Sequence, residues 1–276
     1  MDNSILVLAN FADAAEATAR YAAALGAPLP LRLAMLHLDV YPVMLEPELV
    51  AASAEQTQRN EAETMVGLHA LARRLPEHPE VLEATGFMAD AVAKAVHQQQ
   101  ALLLALGLSH EQSLLDRFLL DQVLPVLRAT HRPLLLVPRD APCVGPPRRV
   151  LVAVDGEPFT PNAASRALAP LLAAWGCTFT VVQVHPQGGP PSRLALADVR
   201  ASGLVPAASP LEHYKAADTP AAPGVLQAVA DTQADLLVLI ARPRSFWSEL
   251  FHRSVTAAVL RYCAVPVLLL PAEPLD

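Results

Sequence analysis

The residues best equipped for chemistry gather late in the chain. The segment Arg242-Pro-Arg244-Ser-Phe246-Trp247-Ser-Glu-Leu250-Phe251-His252-Arg253-Ser254 carries three arginines and a histidine. Guanidinium groups match the geometry of phosphate and carboxylate, and Ser254 stands where it can cap a helix beginning Val255-Thr256 and leave amides for an anion. The same segment also admits a plainer reading. Phe246, Trp247, Leu250 and Phe251 have helical spacing and form an apolar face that docks on a sheet edge or a partner, with the arginines as a solvated rim. Asp155-Gly156 closes an aliphatic run as a carboxylate, or only as a tight bend. His37 and His185 fall at two other strand ends, where an imidazole titrates in the physiological range.

Covalent and metal chemistry find little support. The chain has no Gly-x-Ser-x-Gly elbow, no Gly-x4-Gly-Lys-Ser/Thr and no Gly-x-Gly-x-x-Gly. His69, His78, His97 and His110 lack ligand spacing, so no metal centre is expected. Cys143, Cys177 and Cys263 are odd in number with no Cys-x-x-Cys pair, and read as reduced thiols. The protein is expected not to be an enzyme.

The elements that must position these residues come from an internal repeat. Val126-Leu127-Arg128-x4-Pro133-x-Leu135-Leu136-x-Pro138 recurs as Val259-Leu260-Arg261-x4-Pro266-x-Leu268-Leu269-x-Pro271, at an offset of 133. Ala101 to Leu106 parallels Asp235 to Ile240 at an offset of 134, and Ile5 to Asn10 parallels Val150 to Asp155 at 145. The chain is a tandem duplication whose second copy is about a dozen residues shorter. The Pro/Gly-rich stretch 139–147 divides it into units 1–140 and 148–276.

Short aliphatic runs alternating with helical stretches predict a parallel sheet with crossover helices. Strands are expected near 4–10, 31–38, 81–87, 101–107 and 133–138, then near 149–155, 178–184, 208–215, 235–241 and 266–270. Helices are expected at 12–25, 54–75, 88–98 and 119–130, then at 160–174, 221–232 and 254–263, with a short one around 193–200. The fold class is α/β, and ligands in such folds sit beyond the carboxyl ends of the strands.

Two five-stranded copies, each opening Ile/Val-Leu-Val and closing Val-Leu-Arg-x4-Pro-x-Leu-Leu, resemble a tandem universal stress protein over nearly the whole chain. The resemblance implies two Rossmann-like, adenine-nucleotide alpha hydrolase-like domains. Their fifth strands would pair antiparallel in an intramolecular pseudodimer, with a further homodimer possible. It also implies an ATP site: an acidic residue ending the first strand for the adenosine, and a Gly-x2-Gly-x9-Gly-Ser/Thr loop after the fourth for the phosphates. Copy one departs from that pattern at Asn10, His110, Leu120 and Asp121, keeping only Gly107. Nucleotide binding there is expected to be lost.

Copy two keeps Asp155 but places Ala241 and Arg244 at the early glycines, has a loop one residue short, and ends it in Arg253-Ser254. The candidate nucleotide or anion site is therefore Asp155, Ala241, Arg244, Arg253, Ser254 and Val255. ATP is a possible cofactor there, with a bound anion or nucleotide expected to order the Arg242 to Ser254 segment. The alternative is an ATP-binding, weakly hydrolysing protein that uses the same half.

Composition narrows the partners. Hydrophobic residues make up 53% and charged residues 17%, which excludes a disordered chain. Acidic residues outnumber basic ones 27 to 20 with no basic block, so nucleic acid is not expected as a partner. No aliphatic run reaches the length of a membrane span, and the opening Met1-Asp2-Asn3-Ser4-Ile5 lacks the features of a secretory signal. A cytoplasmic protein with no membrane partner is expected.

Overall fold

The computed structural model describes residues 3–9, 12–39, 62–108, 123–142, 145–184, 194–216, 220–242 and 255–273. Ten strands form one sheet: β1 (Ser4–Leu8), β2 (Arg32–Asp39), β3 (Glu80–Thr85), β4 (Ala101–Leu108), β5 (Leu134–Pro138), β6 (Arg149–Val154), β7 (Thr178–Gln183), β8 (Leu211–Tyr214), β9 (Leu236–Ala241) and β10 (Val267–Pro271). Their spatial order is β3-β2-β1-β4-β5-β10-β9-β6-β7-β8. Every adjacent pair is parallel except β5 and β10, which pair antiparallel through Val267 with Leu136, Leu268 with Leu135 and Leu269 with Leu134. Each half thus has the doubly wound order expected from the repeat, and the two are joined edge to edge as an intramolecular pseudodimer.

The inner strands form because they are mostly aliphatic on both faces and helices cover both, while the edge strands β3 and β8 carry polar residues and are part-exposed. Leu134, Leu135, Leu136, Val267, Leu268 and Leu269 are all at most 1% exposed. Two apolar layers result. One holds Leu6, Leu104, Leu136, Leu151, Leu237 and Leu269, and the other holds Ile5, Leu103, Leu135, Val150, Leu236 and Leu268. Each layer runs through both halves.

The helices follow the expected positions with two differences. The expected helix over 160–174 is broken into Ala163–Arg166 and Ala169–Ala174. Pro170 is the cause: it has no N–H to give the carbonyl of Arg166, and its ring crowds that turn. The helix expected over 54–75 is seen at 62–74 and the one expected over 119–130 at Leu124–Thr130, with 54–61 and 119–122 outside the described residues. Among the described residues no helix is long and apolar enough to cross a membrane.

Three side chains tie the halves together beyond the strand pair. Trp175 Nε1 donates to the carbonyl of Leu25 at 3.0 Å, and Tyr21 Oη to that of Asp235 at 3.4 Å. Asn162 Nδ2 donates to His131 O at 2.8 Å while its Oδ1 caps the helix at Ser165 N, also at 2.8 Å. Trp175 is 8% exposed and its bond to Leu25 is buried, so removing the indole N–H strands a carbonyl. Trp175→Phe should lower the unfolding free energy by about 1–3 kcal/mol, read from urea denaturation.

Candidate functional site

The crevices of the two halves open where strand order reverses, between β1 and β4 and between β6 and β9. In copy two that crevice is a cavity of about 190 Å³. Ala153 and Val154 of β6, Leu239 and Ile240 of β9, and Val184 just past β7 form its floor. Helix Ala221–Asp231 contributes Ala221 and Val225, and helix Val255–Tyr262 contributes Val255, Thr256 and Val259. Phe159 closes one side. The walls are mostly apolar because the strand ends are apolar here, and among the described residues only Asp155, Arg242 and Thr256 bring polar side chains.

Asp155 and Arg242 meet at the rim. Both are the first residues past neighbouring parallel strands, whose register sets Ala153 beside Leu239, so the topology brings the acid and the base together. Arg242 Nη2 donates to Asp155 Oδ1 at 2.8 Å and also to the carbonyl of Glu157 at 2.5 Å, and its Nη1 donates to Pro158 O at 2.8 Å. Asp155 Oδ1 further accepts from Glu157 N at 3.1 Å, which closes an Asx turn with Gly156 at φ +86°. The guanidinium is 16% exposed and the carboxylate 39%, so the pair is part-buried and worth more than a surface bridge yet still screened. Arg242 thereby holds the 155–158 turn against the sheet, next to Phe159.

The two copies align differently here from what the repeat suggests. In the β1–β4 pair, Ser4 lies beside Ala101 but Ile5 lies beside Leu103, so β4 carries a bulge at Leu102. In copy two, Val150 lies beside Leu236 without such a shift. The offset of 134 therefore holds at Ala101 and becomes 133 beyond the bulge. Since one residue of slip turns every side chain to the other face, Gly107 corresponds to Ile240, and Ala241 to Leu108. Ala241 lies in the Leu6 layer, as does Leu108.

Gly107 itself is a packing residue. A Cβ there would lie 2.5 Å from Ala14 Cβ and 2.6 Å from Thr18 Oγ1, because helix Ala12–Gly26 sits directly on β4. Copy two has Ile240 at that place, facing its cavity, and its first helix starts only at Ala163 after a longer loop.

Of the six residues expected to form a site, Asp155 and Val255 line the cavity, and Ala241 sits buried at the end of β9 between two lining residues. Arg244, Arg253 and Ser254 lie outside the described residues. So do Asn10, His110, Leu120, Asp121, Cys143, His185, Phe246, Trp247, Leu250, Phe251 and His252. The pairing of Arg242 with Asp155 was not foreseen, although Arg242 stood in the basic segment. The missing signal was the adjacency of the first and fourth strands, which the doubly wound order implies.

The remaining polar groups are scattered. His37 is 8% exposed, its Nδ1 lies 3.5 Å from Ala9 O, and its Nε2 is buried with no partner among the described residues. By strand register its counterpart in copy two is Gln183, not His185. Burial pushes the thiols of Cys177 and Cys263 up to about 11, so at neutral pH neither is a thiolate nucleophile. Among the described residues no group of three His, Cys, Asp or Glu is placed to hold a metal ion.

The fold and crevice define a class: a tandem pair of Rossmann-like α/β domains with a ligand-sized cavity at one switch point. The universal stress protein family model matches residues 147–271, within copy two. No curated protein matches the sequence. The whole chain is similar in fold to a universal stress protein from Archaeoglobus fulgidus DSM 4304, at 15% identity and TM-score 0.61, over 98% of this chain and 97% of that one. It is also similar to a functionally unknown protein from Pseudomonas aeruginosa PAO1, at 16% identity and TM-score 0.52, over 98% and 93% of the two chains.

The packing role of Gly107 is directly testable. Gly107→Ala should destabilise the protein by about 1–3 kcal/mol, seen as a lower urea midpoint with an unchanged slope.

Proposed function

We propose that the protein is a non-catalytic, cytoplasmic binding protein built from units 1–140 and 148–276, which takes a small ligand in copy two alone. The observation that carries this reading is the apolar cavity of about 190 Å³ at the β6–β9 switch point, with a charged pair at its mouth. Concave, mostly apolar sites with a few convergent polar groups, placed at the carboxyl ends of parallel strands, are the usual small-molecule sites of doubly wound folds. In copy one the equivalent strand end is sealed by Ala14 and Thr18 against Gly107, which supports loss of a site in that half.

The binding event bears on the surface through Phe159. This residue lines the cavity and follows the turn that Arg242 holds, so an occupant favours particular arrangements of that turn over others. A partner protein that recognises the turn would sense the occupancy. Supporting a binding role over turnover are the protonated thiols and the engagement of the only carboxylate at the cavity, among the described residues, by a guanidinium. A carboxylate already hydrogen-bonded to a guanidinium is poorly placed to act as a general base.

Calorimetric titration with a panel of adenosine, AMP, ADP, Mg-ATP, inorganic phosphate and indole tests the reading. At least one member should give a saturable heat that Ile240→Trp removes by filling the cavity. Absence of heat from every member at millimolar concentration would end it. Steady phosphate release from ATP that Asp155→Ala abolishes would replace it with the hydrolase reading.

A further inference from the structure

The cavity, its size and its charged pair also bear on what kind of molecule fits. Resting on the reading that copy two holds the ligand site, we infer that Arg242 makes this cavity selective for a small, uncharged, largely apolar ring compound of one or two fused rings, and against nucleosides and nucleotides.

Three observations carry this. The first is volume. Apolar cavities of about 150 Å³ take a single benzene ring, whereas sites for larger ligands run from about 300 Å³ upward. At about 190 Å³ the copy-two cavity matches one ring system, and a sugar attached to that ring would extend past the rim to the Asp155–Arg242 pair.

The second is the lining. Val154, Phe159, Val184, Val225, Leu239 and Ile240 offer no hydrogen-bonding side chain. A purine or sugar placed among them would have only backbone groups, Thr256 and the rim pair to bond among the described residues, and each polar group left unmatched costs about 1–3 kcal/mol. An apolar ring incurs no such cost.

The third is the state of Asp155, the acid whose strand-end position suits it to hold ribose hydroxyls. Its Oδ1 already accepts two hydrogen bonds, one of them charge-assisted from Arg242. A hydroxyl seeking this carboxylate competes with a guanidinium that also makes two bonds to backbone carbonyls. Arg242 thus engages Oδ1 from within the chain and competes with a nucleoside for this carboxylate. ATP does not fit these residues as they stand.

The experiment compares indole, adenosine, AMP and Mg-ATP on the wild-type chain and on Arg242→Ala. Binding is read by calorimetry and by methyl NMR of Val154, Val184, Val225, Leu239, Ile240 and Val259. In the wild type, indole should shift those methyls and bind about tenfold or more tightly than adenosine, AMP or Mg-ATP. In Arg242→Ala, adenosine should gain about fivefold or more while indole changes less than about twofold, because only the sugar uses the released carboxylate.

Adenosine or a nucleotide binding the wild type as tightly as indole overturns the inference and leaves the ligand site standing. So does an adenosine-to-indole ratio that Arg242→Ala does not move, or indole binding that leaves the cavity methyls unshifted. If none of the four molecules binds either chain, the ligand-site reading fails and takes this inference with it. The wild-type comparison of indole with adenosine and the methyl shifts test the inference by themselves, and Arg242→Lys, which keeps a cation at the carboxylate, replaces Arg242→Ala should the latter fail to fold, with a smaller gain for adenosine expected.

Discussion

The structure depends on the antiparallel pairing of β5 with β10. Both are short, wholly aliphatic strands at the edges of their own half-sheets, and an open edge of this kind recruits other chains. Joining the two edges within one chain removes the hazard and makes ten strands a single sheet. It also fuses the apolar layers of the two halves, so that Leu135 and Leu268 belong to one cluster with Ile5 and Phe179. The hydrogen bonds of Trp175 to Leu25, Tyr21 to Asp235 and Asn162 to His131 then fix the angle of the halves. The rigid frame that results holds the ends of β6 and β9 side by side.

On that frame the copies have diverged in how they treat the switch point. In copy one a glycine lets a helix settle on β4, with Ala14 and Thr18 filling the space above it. In copy two an isoleucine stands at the same place, the leading helix is delayed and broken by Pro170, and a cavity remains. The difference is one of volume: a side chain absent in one half and present in the other. The charged pair at the copy-two rim follows from the same frame, since strands in register deliver their first trailing residues to the same spot. A carboxylate and a guanidinium delivered together satisfy each other, and the loop between Asp155 and Phe159 is held by what remains of the guanidinium's donors.

The likeness to the solved structures concerns fold, and at 15–16% identity it goes no further. What distinguishes this chain is therefore read from its own residues. By strand register the place of Gly107 is held by Ile240 in copy two, and the first residue past β9 is Arg242. An arginine at that point converts an acid available to a ligand into half of an internal ion pair.

Periodicity and repetition carried most of the architecture. The duplicated Val-Leu-Arg-x4-Pro-x-Leu-Leu segment marked two copies, and the aliphatic runs marked ten strands to within a few residues, because a strand buried on both faces must be apolar throughout. Asp155 was legible as a strand-end acid for the same reason. The bulge at Leu102 was not, since an extra residue inside a uniform run of leucines leaves no trace in composition, and so Gly107 was matched to Ala241 instead of Ile240. Nor was the bond between Asp155 and Arg242, residues 87 positions apart whose meeting depends on which strands lie adjacent. Local chemistry determined which segments became strands and helices. Only tertiary structure decided which faces and ends came together, because register and strand order are properties of pairs of segments and not of either one.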